Sequence, residues 1–591
     1  MFKNWKLKPK IPPELLKSYP NLHPVVAQLL YNRGLLENGQ YKEFLEAGYE
    51  GLNDPFLFKD MQKATERIWK AIDNNQKITI YGDYDADAVT ANAVLRQAFY
   101  YLGFENVNSY IPDRFTEGYG VNLEALSKIK DDGTKLVITV DCGTNSAQAA
   151  KWCFENGMDF IITDHHEIIG DAPEFFALVN PKNRGDNYPD ANITGVGVAF
   201  KMVQALLSDE IRVQSRFNQL FSPEGTFGHS SPILGRVNGY VKGYEKWLLD
   251  LVAIGTVADC HSLTGENRIF VKYGLKVLGK TKWPGLKALF VTAKLDFLKK
   301  GPSVYTLGFV LAPRLNAAGR LEHAGIALDL LLEKEYSQAL EKAAELENIN
   351  RRRQNLTLQV VSEAKEQALK INDRKFLVVM GDDWPQGVVG LAAGRLADEF
   401  KKPVIVLTKL GEEAVGSART AGDYNVVEAL KYAAQHLIAF GGHIQAAGLT
   451  LKTKEFKNFY KKLLEHADKH INSNVSHDVL ELEASLLPEH LSLEVVEEIS
   501  RLEPFGVGNP PPKFLIEDLK LELIKKVGNG GLHVQMRLRS GGKLHSAIWF
   551  RAGERAAGFS PGDLLSVVCE LTEDSWNGNS NLKLKIAEVG K

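Results

Sequence analysis

Three short apolar runs dominate what this chain can fold into, because each ends in groups that a protein core does not hold unpaired. Lys77–Asp87, KITIYGDYDAD, reads as a β-branched strand, Ile78-Thr79-Ile80, that reaches a turn at Gly82 and releases Asp83, Asp85 and Asp87 at alternate positions. Lys135–Asp141, KLVITVD, is a second strand that stops on Asp141, followed by Cys142-Gly143. Asp159–His166, DFIITDHH, repeats the arrangement and ends in Asp164, His165 and His166. Strands of this kind separated by helical stretches such as Ala91–Leu102 predict βαβ units and a parallel sheet. Ligands of such sheets bind beyond the carboxyl ends of the strands, the edge from which all these groups project. Two unit charges ~4 Å apart repel by roughly 4 kcal/mol at an effective dielectric of about 20. The cluster is therefore solvated, protonated or neutralised by cations. An acidic turn in water explains any one of the three runs; their shared position favours a metal site.

At 591 residues the chain exceeds a single core, and three or more domains are expected. Lys+Arg 71 against Asp+Glu 73 leaves a net charge of -2, so any nucleic-acid surface must concentrate its basic residues locally. The four cysteines, Cys142, Cys153, Cys260 and Cys569, form no CxxC pair, which argues against a zinc ribbon or a disulfide framework. The amino terminus lacks an apolar signal core and no long apolar run follows, so a cytoplasmic protein without membrane contact is expected.

In IPDRFTEGYG, Arg114 and Glu117 flank Gly118-Tyr119-Gly120, which suits a phosphate clamp or, alternatively, an Arg–Glu surface pair. Gly195–Met202 opens a helix, and Ser208–Tyr244 reads as a polar inserted loop. Trp247–Ile254 is helical and leads to Asp259, one more carboxylate from a helix-end turn. In APRLNAAGR, Arg314, Asn316 and Arg320 surround Ala317-Ala318-Gly319, which fits either a close phosphate approach or a helix-packing turn. Tyr336–Ile371 has apolar residues at helical spacing without Gly or Pro, a helix of roughly 50 Å that bridges two domains. Its Arg351-Arg352-Arg353 run reads as a solvated face. Phe376–Met380 and Pro403–Thr408 are strands of a second α/β domain, which closes near Asn472. That domain holds WPQGVVGLAAGRL, GSART and FGGHIQAAG, the last two read as compact turns that bind a phosphate or chain end, or as ordinary surface turns. Val479–Lys591 has five short alternating strands, the pattern of a small barrel with the OB-fold first. Phe505, Phe514, Trp549, Phe550 and Trp576 are available there for base stacking, although most are expected in the core.

Together these segments resemble the DHH phosphoesterase superfamily and, within it, the bacterial RecJ family of single-stranded-DNA exonucleases. GDYDAD, IPDRFTEGYG, VDCGT, TDHHE, GVGVAFK, AIGTVAD, PRLNAAGR, GSAR and FGGHIQAAG carry the likeness, and LEPFGVGNPPPKF before the barrel narrows it. The resemblance implies an α/β fold in four parts. These are a parallel-sheet DHH domain with N-terminal helices (1–330), a connecting long helix (331–372), a smaller α/β DHH-associated domain (373–475) and a C-terminal OB-like β-barrel (476–591). It implies two divalent cations, Mn²⁺ or Mg²⁺, held by Asp83, Asp85, Asp87, Asp141, His165 and Asp259, with Asp141 as the bridge. Carboxylate-rich ligation with one imidazole fits those ions better than Zn²⁺. His166 is expected at the scissile phosphate or the leaving oxygen, with Asp164 orienting the histidines. Arg114, Arg314, Asn316, Arg320, Ser417, Arg419 and His443 are the expected substrate contacts, Ser417 and Arg419 near the 5′ end.

The implied activity is 5′→3′ release of 5′-mononucleotides from single-stranded DNA by a monomer, in recombination and repair. A single-strand-binding protein and a RecQ-type helicase are the implied partners. A phosphodiesterase of short oligonucleotides or cyclic dinucleotides is the rival enzyme reading, and a non-catalytic replication-fork scaffold the rival of another class. Ala88 stands where the family has Gly, so the turn there must avoid positive φ. Pro385 stands where the family has His after Trp384, and the Ser208–Tyr244 insertion has no assigned role.

Overall fold

A computed structural model describes residues 5–37, 39–118, 120–169, 176–220, 242–297, 301–471, 479–576 and 579–591. The chain divides into two compact units: residues 53–261 with 273–475, and residues 1–52 with 262–272 and 476–591.

The first unit begins with five parallel strands: β1 (Ile78–Gly82), β2 (Val107–Tyr110), β3 (Leu136–Val140), β4 (Asp159–Thr163) and β5 (Ala177–Val179), in the order β2-β1-β3-β4-β5. Every residue of β1 and β3 is buried, as expected of strands covered on both faces. Helix α1 (Ala86–Tyr101) follows β1, and Asp85 caps it by accepting from Asp87 N at 3.0 Å and Ala88 N at 3.2 Å. Ala88 lies inside this helix, so the position needs no positive φ and tolerates a side chain. Helices α2 (Gly195–Ser208) and α3 (Leu249–Ala258) pack on α1. The segment expected as an inserted loop is helical over Glu210–Leu220, and its residues 221–241 lie outside those described.

Helix α4 (Ala312–Leu321) precedes α5 (Tyr336–Lys370), a 35-residue helix with the span its spacing predicts. Beyond it β6 (Leu377–Asp382), α6 (Gln386–Phe400), β7 (Val404–Leu410), β8 (Glu413–Arg419), β9 (Ala439–His443), β10 (Ala446–Lys452) and α7 (Phe456–His470) form the second α/β layer. Its sheet runs β9-β10-β8-β7-β6, with β6 and β7 parallel and the other pairs antiparallel. Most of GSART and most of FGGHIQAAG are strand, not turn: Gly416–Arg419 closes β8, and β9 and β10 form a hairpin. Trp384 Nε1 donates to Glu363 at 2.7 Å, and Pro385 occupies the N-cap of α6.

In the second unit β11 (Phe514–Val527), β12 (His533–Ser540), β13 (Lys543–Trp549), β14 (Leu564–Trp576) and β15 (Asn579–Gly590) run in the order β11-β12-β13-β15-β14, and β11 pairs with β14 to close the barrel. Closure leaves no free edge among these five strands. Phe514 and Trp549 are buried in it and Phe505 packs at its margin, while Phe550 is exposed; the Trp576 side chain lies outside the described residues. The N-terminal helices expected with the catalytic domain belong here instead. Trp5–Leu7 pairs in parallel with Leu480–Leu482, and Val26, Leu29 and Leu30 share one core with Phe514, Leu538 and Trp549.

Candidate metal centre and arginine cluster

The carboxyl rim of the five-stranded parallel sheet gathers the acids and imidazoles that the sequence separates. Asp83 leaves β1 and is buried; its Oδ1 is enclosed without a hydrogen-bond partner. Asp141 leaves β3 in the left-handed region at φ 58°, a conformation that Asp tolerates better than most residues. Its N–H donates to Thr163 O at 3.0 Å, which ties the turn to β4. Asp164 leaves β4 and is consumed in building the site. Its Oδ2 accepts from Thr144 N at 2.9 Å, and its Oδ1 lies 2.7 Å from both His165 N and His166 Nδ1. Asn180 adds a bond to His166 O at 3.0 Å. The His166 imidazole is thereby oriented through its Nδ1, and the His165 backbone is fixed beside it.

His165 Nε2 stands 3.0 Å from Asp141 Oδ1 and 3.7 Å from Asp259 Oδ2. Neither oxygen makes a hydrogen bond, and His165 Nδ1 is likewise buried without a partner. A buried polar atom left unpaired costs about 1–3 kcal/mol, so the three enclosed carboxylate oxygens, Asp83 Oδ1, Asp141 Oδ1 and Asp259 Oδ2, call for cationic partners. Oxygen and nitrogen ligands converging without bonding one another are a donor set for Mn²⁺ or Mg²⁺. Asp85, which caps α1, faces Asp259 across the same rim.

Asp87, the third aspartate of the expected ligand set, carries two backbone bonds. Its Oδ2 accepts from Gly195 N at 2.9 Å and its Oδ1 from Val196 N at 3.0 Å, so it is bound across the first turn of α2. Physically it ties α2 to the rim while standing beside Asp141. Asn316 is similarly a brace, its Oδ1 accepting from Ala86 N at 2.8 Å. Gly319 lets α4 approach this turn, since a Cβ there would lie 2.3 Å from Tyr84 O.

Electrostatics agree with a cage built for cations. Burial and the neighbouring Asp85 push the Asp83 carboxyl up to about 7. Burial and Asp259 raise Asp85 and Asp87, and burial and Asp87 raise Asp141 well above the carboxylate range. Burial would also raise Asp164, but the hydrogen bond and charge of His166 outweigh it and hold this carboxyl low. Burial pushes His165 down to about 4, while for His166 the Asp164 bond overcomes burial and raises it.

One neighbour was not legible in the sequence. His261 Nε2 lies 3.1 Å from Asp259 Oδ2, with its ring 4.8 Å from that of His165. The only signal is its spacing, two residues beyond Asp259.

Beside the cage lies a group of arginines with no carboxylate partner among the described residues. The Arg114 guanidinium sits 4.7 Å over the Tyr84 ring. Arg320 Nη1 donates to Gly387 O at 3.2 Å, and Arg419 Nη1 to Ser417 Oγ at 2.5 Å and Ala418 O at 2.7 Å. Burial, then the charges of Arg114, Arg353 and Arg419, pushes Arg320 down to about 10. Crowding these cations together costs electrostatic energy that an anion between them would offset. Arg314 is different: it pairs with Glu347 at 2.7 Å, and Arg351 holds the other oxygen of the same carboxylate. His443 is exposed on β9, and among the described residues no contact joins it to the cage.

Carboxylates and imidazoles caged at a parallel-sheet rim, with cations alongside and a barrel in the second unit, define a metal-dependent phosphoester hydrolase. Residues 77–222 match the DHH family N-terminal domain, 373–472 the DHHA1 domain and 482–588 the RecJ OB domain. The single-stranded-DNA-specific exonuclease RecJ of Bacillus subtilis (strain 168) is 37% identical over 572 residues, covering 96% of this chain and 68% of the relative. That of Escherichia coli (strain K12) is 30% identical over 584 residues, 96% of each. A crystal structure of RecJ in complex with Mn²⁺ from Thermus thermophilus superposes with a TM-score of 0.80 at 27% identity, covering 100% of this chain and 79% of that one. Its Mg²⁺ counterpart gives 0.74 at 26% identity, with coverage of 100% and 78%. The chain belongs to the RecJ family of single-stranded-DNA-specific exonucleases. Among the described residues no helix is long and apolar enough to cross a membrane.

Proposed function

We propose that this chain removes 5′-mononucleotides from the 5′ end of single-stranded DNA. The observation that carries this reading is the set of enclosed, unpartnered carboxylate oxygens at one rim, Asp83 Oδ1, Asp141 Oδ1 and Asp259 Oδ2, with His165 Nε2 3.0 Å from the second. Asp83, Asp85, Asp141, His165 and Asp259 would hold two divalent cations, with Asp141 between them. When bound, such ions polarise the phosphoryl oxygen and acidify a water.

The protein's own groups do the rest. Asp164 fixes the orientation of His166, whose side chain is 31% exposed and so faces the open side of the cage. From there it meets the scissile phosphate or the leaving oxygen. Asp87 and Asn316 keep α2 and the acidic turn in register. Arg114, Arg320 and Arg419 receive successive phosphates, and Ser417 with Arg419 stops the 5′ end. Arg314, bound to Glu347, braces α4 against the long helix α5. The barrel holds incoming strand through the exposed ring of Phe550. The domain divisions proposed are a catalytic part, a connecting helix, an associated part from about 373 and a barrel part that includes the N-terminal helices. The same reading makes the protein a cytoplasmic monomer that meets single-strand-binding protein and a RecQ-type helicase.

Time courses on 5′- and 3′-labelled single strands and on duplex, with Mn²⁺, Mg²⁺ or EDTA, test it. Metal-dependent mononucleotide release from the 5′ end of single strands, lost in Asp141→Ala, is expected. Release from the 3′ end, or equal rates on duplex, would overturn it.

A further inference from the structure

We infer that His261 is a further metal ligand, so that one of the two cation positions is held by two imidazoles and a carboxylate. The inference rests on the metal-dependent reading above and adds a residue to it. Asp259 caps the C-terminus of α3, and Cys260 follows in the left-handed region at φ 59° with its N–H bonded to Val257 O at 3.2 Å. That turn reverses the chain and returns His261 to the rim. One ligand atom each from His165, Asp259 and His261 then lies within 4.8 Å of the others.

An ion pair between His261 and Asp259 is the simpler explanation, and the geometry argues against it. His261 Nε2 is 3.1 Å from Asp259 Oδ2, yet the oxygen is enclosed without a hydrogen bond. His165 Nε2, 3.7 Å away, does not satisfy it either. Three donors point at a shared volume and not at one another. A cation there satisfies all three at once. The rings of His165 and His261 are inclined at 53°, so their nitrogens approach that volume from different directions.

The chemistry of the donors separates the two positions. Asp83, Asp85 and Asp141 offer oxygen only, which suits Mg²⁺ and Mn²⁺ alike. Two imidazoles with one carboxylate favour Mn²⁺, because Mg²⁺ binds nitrogen poorly and keeps its oxygen octahedron. His261 therefore makes the pair of positions unequal and gives the chain a Mn²⁺-selective half.

The test uses the full chain, stripped with EDTA and titrated with Mn²⁺ while the electron paramagnetic resonance of free Mn²⁺ is followed. Wild type is expected to show a tight and a weaker class of bound ion. His261→Ala should weaken the tight class by about 10-fold or more, leaving Mg²⁺ competition at the other nearly unchanged. Echo modulation on protein labelled with ¹⁵N-histidine should show two imidazole nitrogens on tight Mn²⁺ in wild type and one in His261→Ala. His261→Gln, read alongside by circular dichroism, guards against misfolding. A single imidazole in wild type, or unaltered Mn²⁺ affinity in a folded variant, would overturn the inference and leave the reading above intact. Failure of wild type to bind Mn²⁺ at all would remove both.

Discussion

Replacing Gly195 by Ala isolates the junction between α2 and the cage. A Cβ there would lie 2.5 Å from Asp141 Oδ1, 2.6 Å from Asp141 Cβ and 2.7 Å from Asp141 Cγ. Non-bonded carbons settle at about 3.5 Å or more, so the two segments must part by close to 1 Å. The Asp141 backbone cannot yield freely, held at φ 58° and bonded to Thr163 O. If α2 lifts, the bonds from Gly195 N and Val196 N to Asp87, now 2.9 and 3.0 Å, are lost. Each such bond to a charged acceptor contributes about 1.5–3 kcal/mol. Rotating the Asp141 side chain moves the carboxylate but not its Cβ, 2.6 Å from the new methyl, so the backbone on one side of the contact must shift as well, an overpacking of about 1–3 kcal/mol. The fold survives, with melting lowered by about 2–4 °C per kcal/mol. The rim does not: a carboxylate displaced by about 1 Å should cost on the order of 10²-fold in rate. Initial rates on 5′-labelled single strand with Mn²⁺, beside a thermal melt by circular dichroism, measure both. A variant with wild-type kcat and the same melt would refute the close fit of α2 to Asp141.

Arg320→Ala should weaken single-strand binding and lower the slope of log affinity against log salt by about 0.7, the loss of one phosphate contact; an unchanged slope would remove Arg320 from the phosphate contacts. Asp250 is wholly buried, accepting from Thr281 Oγ1 at 2.7 Å, Trp283 Nε1 at 3.1 Å and Leu251 N at 2.8 Å, and burial pushes it up to about 7 despite these donors. A carboxyl raised by folding stabilises fully below its unfolded value of about 4 and loses that contribution as pH rises through about 7. Asp250→Asn, its amide nitrogen turned to the Thr281 hydroxyl, should abolish this slope, so wild-type melting should fall relative to the variant between about pH 4 and pH 7 and run parallel to it above; parallel curves throughout would contradict it. Deleting residues 479–591 strips the cover from Val26, Leu29 and Leu30, each contributing roughly 1.5–3 kcal/mol by burial, and should yield aggregated protein by light scattering. A monodisperse truncation would show that the N-terminal helices do not depend on the barrel.

The sheet and its rim were legible because local chemistry is strong there. A fully buried parallel strand must be apolar throughout, and an acid at its end marks where it leaves the core, as at Asp83, Asp141 and Asp164. The long helix announced itself through spacing and the lack of Gly and Pro. What escaped depends on contacts distant in sequence. Asp87 looks like its two neighbours, and only the arrival of Gly195, 108 residues on, turns it into a brace. His261 needs a left-handed turn at Cys260 to reach the cage, and nothing in Cys requires that turn. Gly416 and Gly441-Gly442 suggested turns, yet sheets also admit glycine where backbones approach closely or an edge is exposed. The N-terminal helices were assigned by adjacency, whereas Trp5–Leu7 finds its strand partner at Leu480–Leu482.

Anomalous diffraction from crystals of the full chain soaked in Mn²⁺ addresses the central claim most directly. Two peaks are expected at the carboxyl rim of the parallel sheet, each within bonding reach of Asp141, with Asp83 and Asp85 on one side and His165, Asp259 and His261 on the other. Peaks elsewhere in the molecule, or an empty rim in crystals whose dissolved protein still degrades single-stranded DNA, would contradict it.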